Sequence, residues 1–169
     1  RPIKWVAERT ESFLTDTHGR DHVTHAELAV SNDGKFLGFK NETIANLGAY
    51  ARVFGTVTPT YLFGPCATGV YTIPAAYSNV KAVYTNTAPV DAYRGAGRPE
   101  ATYTIERLVE KAAMELGIDK TEIRMKNFPS EFPFKQTLVH TVDSGDYVAG
   151  LEKAKQMSDY AGFEARRKK

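Results

Sequence analysis

AYRGAGRPEATYTIERLVEKAAMELG, residues 92–117, is the stretch that decides the fold, because its second part has the clearest helical periodicity in the chain. Pro99 and Glu100 are typical of a helix start, and Gly117 is typical of a helix end. We therefore predict a helix from Pro99 to Leu116. Apolar side chains recur at the i, i+3, i+4 spacing of one helical face, at Ile105, Leu108, Val109, Ala112, Ala113 and Leu116.

The segment AYRGAGRPE, residues 92–100, carries groups that bind anions. Arg94 and Arg98 flank Gly95-Ala96-Gly97, so two permanently charged guanidinium groups border a backbone with little side-chain bulk. The helix start adds unpaired N–H groups and roughly half a positive charge. We interpret the loop as an anion-binding site; the alternative is that both arginines only pair with carboxylates such as Asp91 or Glu100. Neither the three-glycine dinucleotide fingerprint nor a P-loop ending in Gly-Lys-Ser/Thr is present.

The composition is that of a globular chain without a strong charge bias. A length of 169 residues suits one domain of about 100 to 200 residues. Lys and Arg total 22 and Asp and Glu total 20, so the net charge of +2 argues against a nucleic-acid partner. No apolar run reaches the ~18 residues of a membrane span. The single cysteine, Cys66, excludes an internal disulfide and favours a cytoplasmic location.

Strands are predicted in the first half of the chain. Residues 22–31 alternate, with Thr24, Ala26, Leu28 and Val30 on one face, and Asn32-Asp33-Gly34 has turn chemistry before a returning strand at 35–45. This pattern predicts a β-hairpin. Two further strands are predicted at 70–74 and 79–87, and a loop at Gly64-Pro65. Residues 49–62 stay ambiguous because Gly55 and Pro59 interrupt any continuous helix.

Helices dominate the second half of the chain. Asp119 and Glu122 have capping-box spacing ahead of a short helix at 120–126, and a last helix is predicted to start at the 143–146 turn. Strands that cluster early and helices that cluster late predict an α+β fold, with a mixed or antiparallel sheet and helices packed on one side. Residues 1–169 are expected to form a single domain.

Other residues with reactive or metal-binding side chains give weaker signals. His18, His22 and His25 have the spacing of helical metal ligands, but on a strand His22 and His25 point to opposite faces, which disfavours a metal site. Cys66 has no histidine nearby in sequence and is interpreted as a buried, inert thiol. His140 is interpreted as an isolated surface or core histidine. No catalytic residue is identified.

Residues 85–113, TNTAPVDAYRGAGRPEATYTIERLVEKAA, closely resemble the cofactor-proximal segment of molybdenum hydroxylase large subunits. This family includes xanthine dehydrogenase, aldehyde oxidase and the large chain of aerobic carbon monoxide dehydrogenase. Supporting matches are RPIKWVAERTESFL from Arg1, THGR from Thr17, YTIP from Tyr71, IRMKNF from Ile123 and DSGDY from Asp143. The resemblance covers almost the whole chain and implies that residues 1–169 are a fragment of the first molybdopterin cofactor-binding domain.

The resemblance implies a molybdenum ion held by a pterin dithiolate, often extended by cytosine dinucleotide, in an oxidoreductase that takes oxygen from water. By analogy, Arg94 would touch the cofactor, and Gly95, Ala96 and Gly97 would line the approach to the metal. Iron–sulfur and FAD subunits or domains would carry the electrons away, and the full-length protein would be oligomeric.

Departures from the family pattern narrow the expected substrate. Copper-containing carbon monoxide dehydrogenases carry cysteine where this chain has Gly95, and xanthine and aldehyde oxidases carry phenylalanine where it has Ala96. Purine-specific members have an arginine near the position of Leu62. We therefore expect a small-molecule substrate that is an aldehyde or an N-heterocycle.

The fragment alone is expected to be inactive and to hold the cofactor weakly or not at all. The family's general-base glutamate and its other cofactor loops find no match in this sequence. The alternative function is a non-catalytic module that binds an anion or nucleotide. A zinc hydrolase built on the three early histidines ranks last.

Overall fold

The computed structural model describes residues 1–168, so Lys169, the last residue of the predicted domain, lies outside the described residues. Short π-helical and 3-10 turns span Thr58–Phe63, Gly64–Cys66 and Tyr160–Gly162. The helices and strands in chain order are α1 Arg9–Thr15, β1 His22–Val30, β2 Phe36–Gly48, β3 Ala76–Tyr84, α2 Arg98–Leu116, α3 Lys120–Asn127, β4 Phe134–Lys135, β5 Thr141–Val142, α4 Tyr147–Met157 and α5 Phe163–Arg167.

The predicted hairpin is confirmed. β1 pairs antiparallel with β2, from His22 opposite Ala45 to Val30 opposite Phe36. The connecting turn needs a left-handed residue, and Gly34 supplies it with a φ of 87°. Burial alternates along β1, because every second side chain points toward the interior of the fold.

β3 completes a mixed sheet in the order β1-β2-β3, since it pairs parallel with β2. The strand predicted at 79–87 therefore exists, but it begins at Ala76 and ends at Tyr84. Beyond Tyr84, backbone hydrogen bonds still join the two segments, with the Thr85 N–H donating to Gly48 O at 3.1 Å. The Thr85 hydroxyl also donates to Asn46 Oδ1 at 2.8 Å.

Helix α2 packs on one face of this sheet and closes the core. Its buried residues, Ala101, Ile105, Val109 and Ala113, lie on the face that the periodicity predicted. Gly117 ends the helix in the left-handed conformation, with a φ of 66°. The α+β fold, with a mixed sheet and helices on one side, is confirmed. The other buried side chains of the main core cluster are Phe36, Phe39, Ala67, Tyr71, Ile73 and Ile123.

The strand predicted at 70–74 is wrong. Tyr71 and Ile73 are buried in alternation, as in a strand, but the backbone there is irregular with bends. The Thr72 N–H donates to the Asn127 carbonyl at 2.8 Å instead of joining a ladder. The loop predicted at Gly64-Pro65 is also wrong, because these residues begin a 3-10 turn.

The later helices follow their predicted starts. The Asp119 carboxylate accepts hydrogen bonds from the backbone N–H groups of Thr121 and Glu122, which caps α3. Asp146 caps α4 in the same way through the Ala149 N–H. Within residues 1–168, no helix has both the length and the apolarity that a bilayer crossing requires.

Asn127, the last residue of α3, ties that helix to the hairpin turn. Its side chain is fully buried, and Oδ1 accepts from the Phe36 N–H at 2.9 Å. Nδ2 donates to the carbonyls of Gly34 and Ile123 at 2.8 Å each. All three hydrogen bonds are made by one side-chain amide, so its removal leaves several buried polar groups without partners.

Replacing Asn127 by alanine should lower the free energy of unfolding by about 2–4 kcal/mol, because each buried group left unpaired costs about 1–3 kcal/mol. Urea unfolding of the chain measures the loss. Asn32→Ala, at an exposed position of the same turn, is the control and should change stability by less than about 0.5 kcal/mol. Equal losses for the two variants would contradict the anchoring role.

Asp119 gives a pH-dependent prediction. Partial burial raises the pKa of Asp119, but hydrogen bonds from Thr121 and Tyr160 and from two backbone N–H groups outweigh it and hold the pKa at about 2. The folded pKa lies below the unfolded value of 3.8, so the stabilisation is complete above about pH 5 and is lost as the pH falls toward 2.

Asp119→Ala should therefore cost about 1 kcal/mol at pH 7 and less at pH 2.5. Urea unfolding at both pH values tests this. Asp119→Ser keeps a capping oxygen without the charge, so its smaller loss should barely change with pH. A loss for Asp119→Ala that stays constant down to pH 2.5 would show that the ionised carboxylate is not the stabilising form.

Candidate functional site: the glycine loop at the start of helix α2

The loop at residues 93–97 lies between a buried residue of the preceding segment and the first turn of α2. Val90 is buried, and its N–H donates to the Leu47 carbonyl at 3.0 Å, which ties the segment to the end of β2. Two tight turns follow, with Ala96 N–H donating to Tyr93 O at 2.8 Å and Arg98 N–H donating to Gly95 O at 3.2 Å. The attachment to β2 and the two turns therefore fix where the loop lies.

Three consecutive residues of the loop have positive φ: Gly95 at 102°, Ala96 at 36° and Gly97 at 84°. A Cβ on Gly97 would lie 2.6 Å from the Thr58 carbonyl oxygen and 2.7 Å from the Phe63 nitrogen. Gly97 is thus required by packing against the π-helical turn, in addition to any ligand contact. Ala96 holds a conformation that L-residues rarely adopt, and such strain is typical of functional loops.

The loop presents hydrogen-bond donors that the rest of the described chain does not use. Arg94 is exposed, and neither Arg94 nor Arg98 has a carboxylate within 4.0 Å in residues 1–168. The N–H groups of Gly95 and Gly97 likewise have no acceptor within those residues. The alternative that the arginines pair with Asp91 or Glu100 is wrong for this structure, and the donor set suits an anion at the helix start.

Glu100 pairs instead with Arg20, a residue that no local spacing had indicated. Arg20 Nε lies 3.6 Å from Glu100 Oε1, and Arg20 Nη2 donates to the Arg94 carbonyl at 2.8 Å. The two residues are far apart in sequence, so no local pattern predicts the contact. The available signal was the THGR match, which contains Arg20.

A groove of about 580 Å³ adjoins the loop, between β1 and α2. Its polar lining includes Arg20, His22, Glu100 and Arg107. Burial lowers the pKa of His22, and the carboxylates of Glu100 and Asp21 oppose that shift only in part, so a neutral imidazole is favoured. None of the residues Arg94 to Gly97 lines the groove, so the loop and the groove are neighbouring surfaces that share Arg20 and Glu100.

The early histidines do not form a metal site in the described residues. No group of three or more His, Cys, Asp or Glu in residues 1–168 is arranged to hold a metal ion. His22 lies on the half-buried face of β1 and His25 is exposed on the other, as the strand periodicity predicted.

The interpretation of Cys66 as buried and of His140 as isolated is wrong. Cys66 is only half-buried, and its Sγ lies 3.4 Å from His140 Nε2. Folding brings together two residues that are 74 positions apart. Burial raises the pKa of the Cys66 thiol, and the charge of Arg98 offsets this only in part, so the protonated thiol is favoured.

Comparison with known proteins gives consistent matches over the whole chain. Residues 1–128 match the family model described as the molybdopterin cofactor-binding domain. The chain is 43% identical over 170 residues to the carbon monoxide dehydrogenase large chain of Hydrogenophaga pseudoflava, covering 98% of this chain and 21% of that protein.

Two further relatives support the same family. The 6-hydroxypseudooxynicotine dehydrogenase complex subunit gamma of Paenarthrobacter nicotinovorans is 36% identical, over 95% of this chain and 21% of that protein. The structure of quinoline 2-oxidoreductase from Pseudomonas putida 86 superposes with a TM-score of 0.90 at 33% identity, over 96% of this chain and 21% of that one. The chain thus spans about a fifth of the length of these relatives.

Gly97 and Gly117 flank α2 and both have left-handed backbones, but only Gly97 is closely packed. Gly117 has a similar φ of 66°, and no atom lies within 4 Å of the position that a Cβ would take there, so Gly117→Ala should cost only the left-handed strain of about 1–2 kcal/mol. Gly97→Ala should cost about 1–3 kcal/mol more, because the new methyl group meets backbone atoms. Urea unfolding of both variants decides this, and equal losses would disprove close packing at Gly97.

Proposed function

This chain belongs to the molybdopterin cofactor-binding domain family, and we propose that it forms part of the large subunit of an oxidoreductase that hydroxylates an aldehyde or an N-heterocycle. The observation that carries the proposal is the set of unused donors around the glycine loop. They lie at the N-terminus of a long helix, where an anionic group is favoured.

Arg94, Gly95, Ala96 and Gly97 would hold the molybdenum-pterin cofactor. The phosphate and metal-bound oxygens of such a cofactor need donors, and the guanidinium of Arg94 and the N–H groups of Gly95 and Gly97 provide them. When bound, the cofactor supplies the redox-active metal for oxygen transfer.

The pterin would carry a cytosine dinucleotide extension. That form has a second phosphate, and Arg98 on the far side of the loop has a guanidinium without a carboxylate partner in residues 1–168. Arg98 Nη1 donates only to the Ala96 carbonyl, at 3.3 Å. An arginine with free donors is well suited to bidentate contact with phosphate.

An aldehyde or N-heterocycle is the substrate class that the loop favours. The loop has glycine at position 95 and no cysteine. The single cysteine of the chain, Cys66, ends a separate 3-10 turn and contacts His140. Two of the relatives compared are named for compounds of this kind, quinoline and 6-hydroxypseudooxynicotine. Carbon monoxide oxidation, for which the Hydrogenophaga relative is named, would lack its sulfur ligand at this position.

Further protein would cover much of the chain's surface. The accessible area is 11361 Å², whereas a compact monomer of 18.7 kDa is expected to expose about 8,300 Å². The excess includes large apolar side chains such as Ile3 and Trp5, which are 92% and 77% exposed. We propose that the remaining large subunit, iron–sulfur and FAD subunits or domains, and an oligomer contact cover such surface in a cytoplasmic enzyme. The fragment alone would be inactive.

Arg94→Ala should lower the molybdenum content of the full-length protein about tenfold, because it removes a charged donor to the cofactor. The measurement is elemental mass spectrometry after coexpression with the partner subunits in a host that makes the cofactor. Arg167→Ala, at an exposed position of α5, is the matched control and should leave the molybdenum content unchanged.

Unchanged molybdenum in Arg94→Ala would reject the role of Arg94. Absence of molybdenum from the folded parent protein would instead favour the alternative, a non-catalytic module that binds an anion or nucleotide through the same loop.

A further inference from the structure

We propose that Arg20 is a positioning residue that sets the backbone geometry of the glycine loop; this inference rests on the cofactor-binding role proposed for that loop. Arg20 contacts the loop at two points and the first turn of α2 at a third. Nη2 donates to the Arg94 carbonyl at 2.8 Å, Nε lies 3.6 Å from Glu100 Oε1, and the guanidinium carbon lies 4.9 Å from the centre of the Tyr93 ring. These contacts fall before, within and after the residues that present the donors.

The hydrogen bond to Arg94 determines where the next N–H group points. The carbonyl of Arg94 and the N–H of Gly95 belong to one planar trans peptide, so they point in opposite directions. Because Arg20 holds the carbonyl, the Gly95 N–H is turned away from Arg20, and it finds no acceptor in residues 1–168. Arg20 thereby aims a free donor without touching the ligand itself.

Glu100 orients the guanidinium of Arg20. Its side chain is only 10% exposed, and neither carboxylate oxygen accepts a hydrogen bond within the described part of the chain. A buried carboxylate needs a nearby positive charge, and Arg20 is the partner that the ion pairs of residues 1–168 provide. The pair links the loop to the first turn of α2.

The segment that carries Arg20 is itself held against the loop. A Cβ on Gly19 would lie 2.6 Å from Tyr93 Cβ, so glycine is needed for this approach. The His18 N–H donates to Pro89 O at 2.9 Å, and the Asp91 N–H donates to His18 O at 2.8 Å. Arg20 has a φ of 61°, a conformation that a non-glycine residue keeps only when its surroundings hold it there.

Lysine cannot reproduce these contacts. Arginine can donate a hydrogen bond through Nη2 while Nε stays at ion-pair distance from a carboxylate and the guanidinium lies over an aromatic ring, whereas an ammonium group is a single point charge. Arg20→Lys therefore keeps the positive charge but cannot make the same set of contacts. This variant tests the positioning role directly.

The experiment uses the full-length enzyme, coexpressed with its partner subunits in a host that makes the cofactor. Molybdenum per protein is measured by elemental mass spectrometry, and the electron paramagnetic resonance spectrum of molybdenum(V) is recorded and normalised to that content. Arg20→Lys should lose about tenfold in molybdenum, the scale typical of residues that support metal ligands, and the remaining spectrum should be shifted. Arg107→Lys, which lines the same groove from an exposed position of α2, should match the parent in both measurements.

Parent-like molybdenum content and spectrum in Arg20→Lys would overturn the positioning role. A lower content with an unchanged spectrum would overturn it too, because the loaded molecules would then have kept the loop geometry. Should Arg20→Lys fail to fold, Glu100→Gln decides by the same two measurements, since it releases the guanidinium while preserving side-chain size.

Arg94→Ala, measured in parallel, separates this inference from the function proposed for the loop. Full molybdenum content and a parent spectrum in Arg94→Ala would mean that the loop does not hold the cofactor. Loss of molybdenum in Arg94→Ala together with a parent-like Arg20→Lys would leave the loop's function standing and remove only the role of Arg20.

Discussion

Burial of one face of helix α2 against the mixed sheet is the interaction on which the rest of the structure depends. Ile105 and Val109 are 1% and 0% exposed, and burying side chains of this size contributes about 1.5–3 kcal/mol each. This packing fixes the rotation of the helix, and therefore the direction in which its N-terminus and the preceding loop face. At the same end, the backbone of Gly97 lies too close to the π-helical turn for any side chain to fit between them.

The polar contacts of α2 extend this arrangement to its neighbours. Arg124 of α3 donates to Glu106 at 2.7 Å and to Glu110 at 2.9 Å, while the Tyr71 hydroxyl donates to the other oxygen of Glu106 at 2.6 Å. Burial and the Glu106 carboxylate raise the pKa of Tyr71, so the phenol stays protonated and keeps donating. Two helices and the turn before β3 are thus joined through one carboxylate, which limits how far the loop can shift relative to the core.

The periodicity of the sequence correctly predicted the elements that bury a single face. The hairpin and α2 were predicted because alternation and helical spacing reflect a single buried face. The same reasoning failed at 70–74, where Tyr71 and Ile73 alternate but the intervening N–H bonds to α3. It also missed the contacts of Arg20 with Glu100 and of Cys66 with His140. Those pairs are created by tertiary packing between distant parts of the chain, and no spacing rule encodes them.

The loop breaks several local rules at once, and this argues for function more strongly than any one motif. Cations at a helix N-terminus face the positive end of its dipole, which is unfavourable by about 0.3–1 kcal/mol, yet Arg94 and Arg98 lie there without carboxylate partners in residues 1–168. Ala96 adds a φ of 36° that alanine seldom adopts. Residues whose local preferences disagree with the observed structure are expected at functional sites. An anionic ligand would neutralise the charges of the arginines and accept hydrogen bonds from the unused N–H groups. One binding event would therefore remove both unfavourable features of the loop.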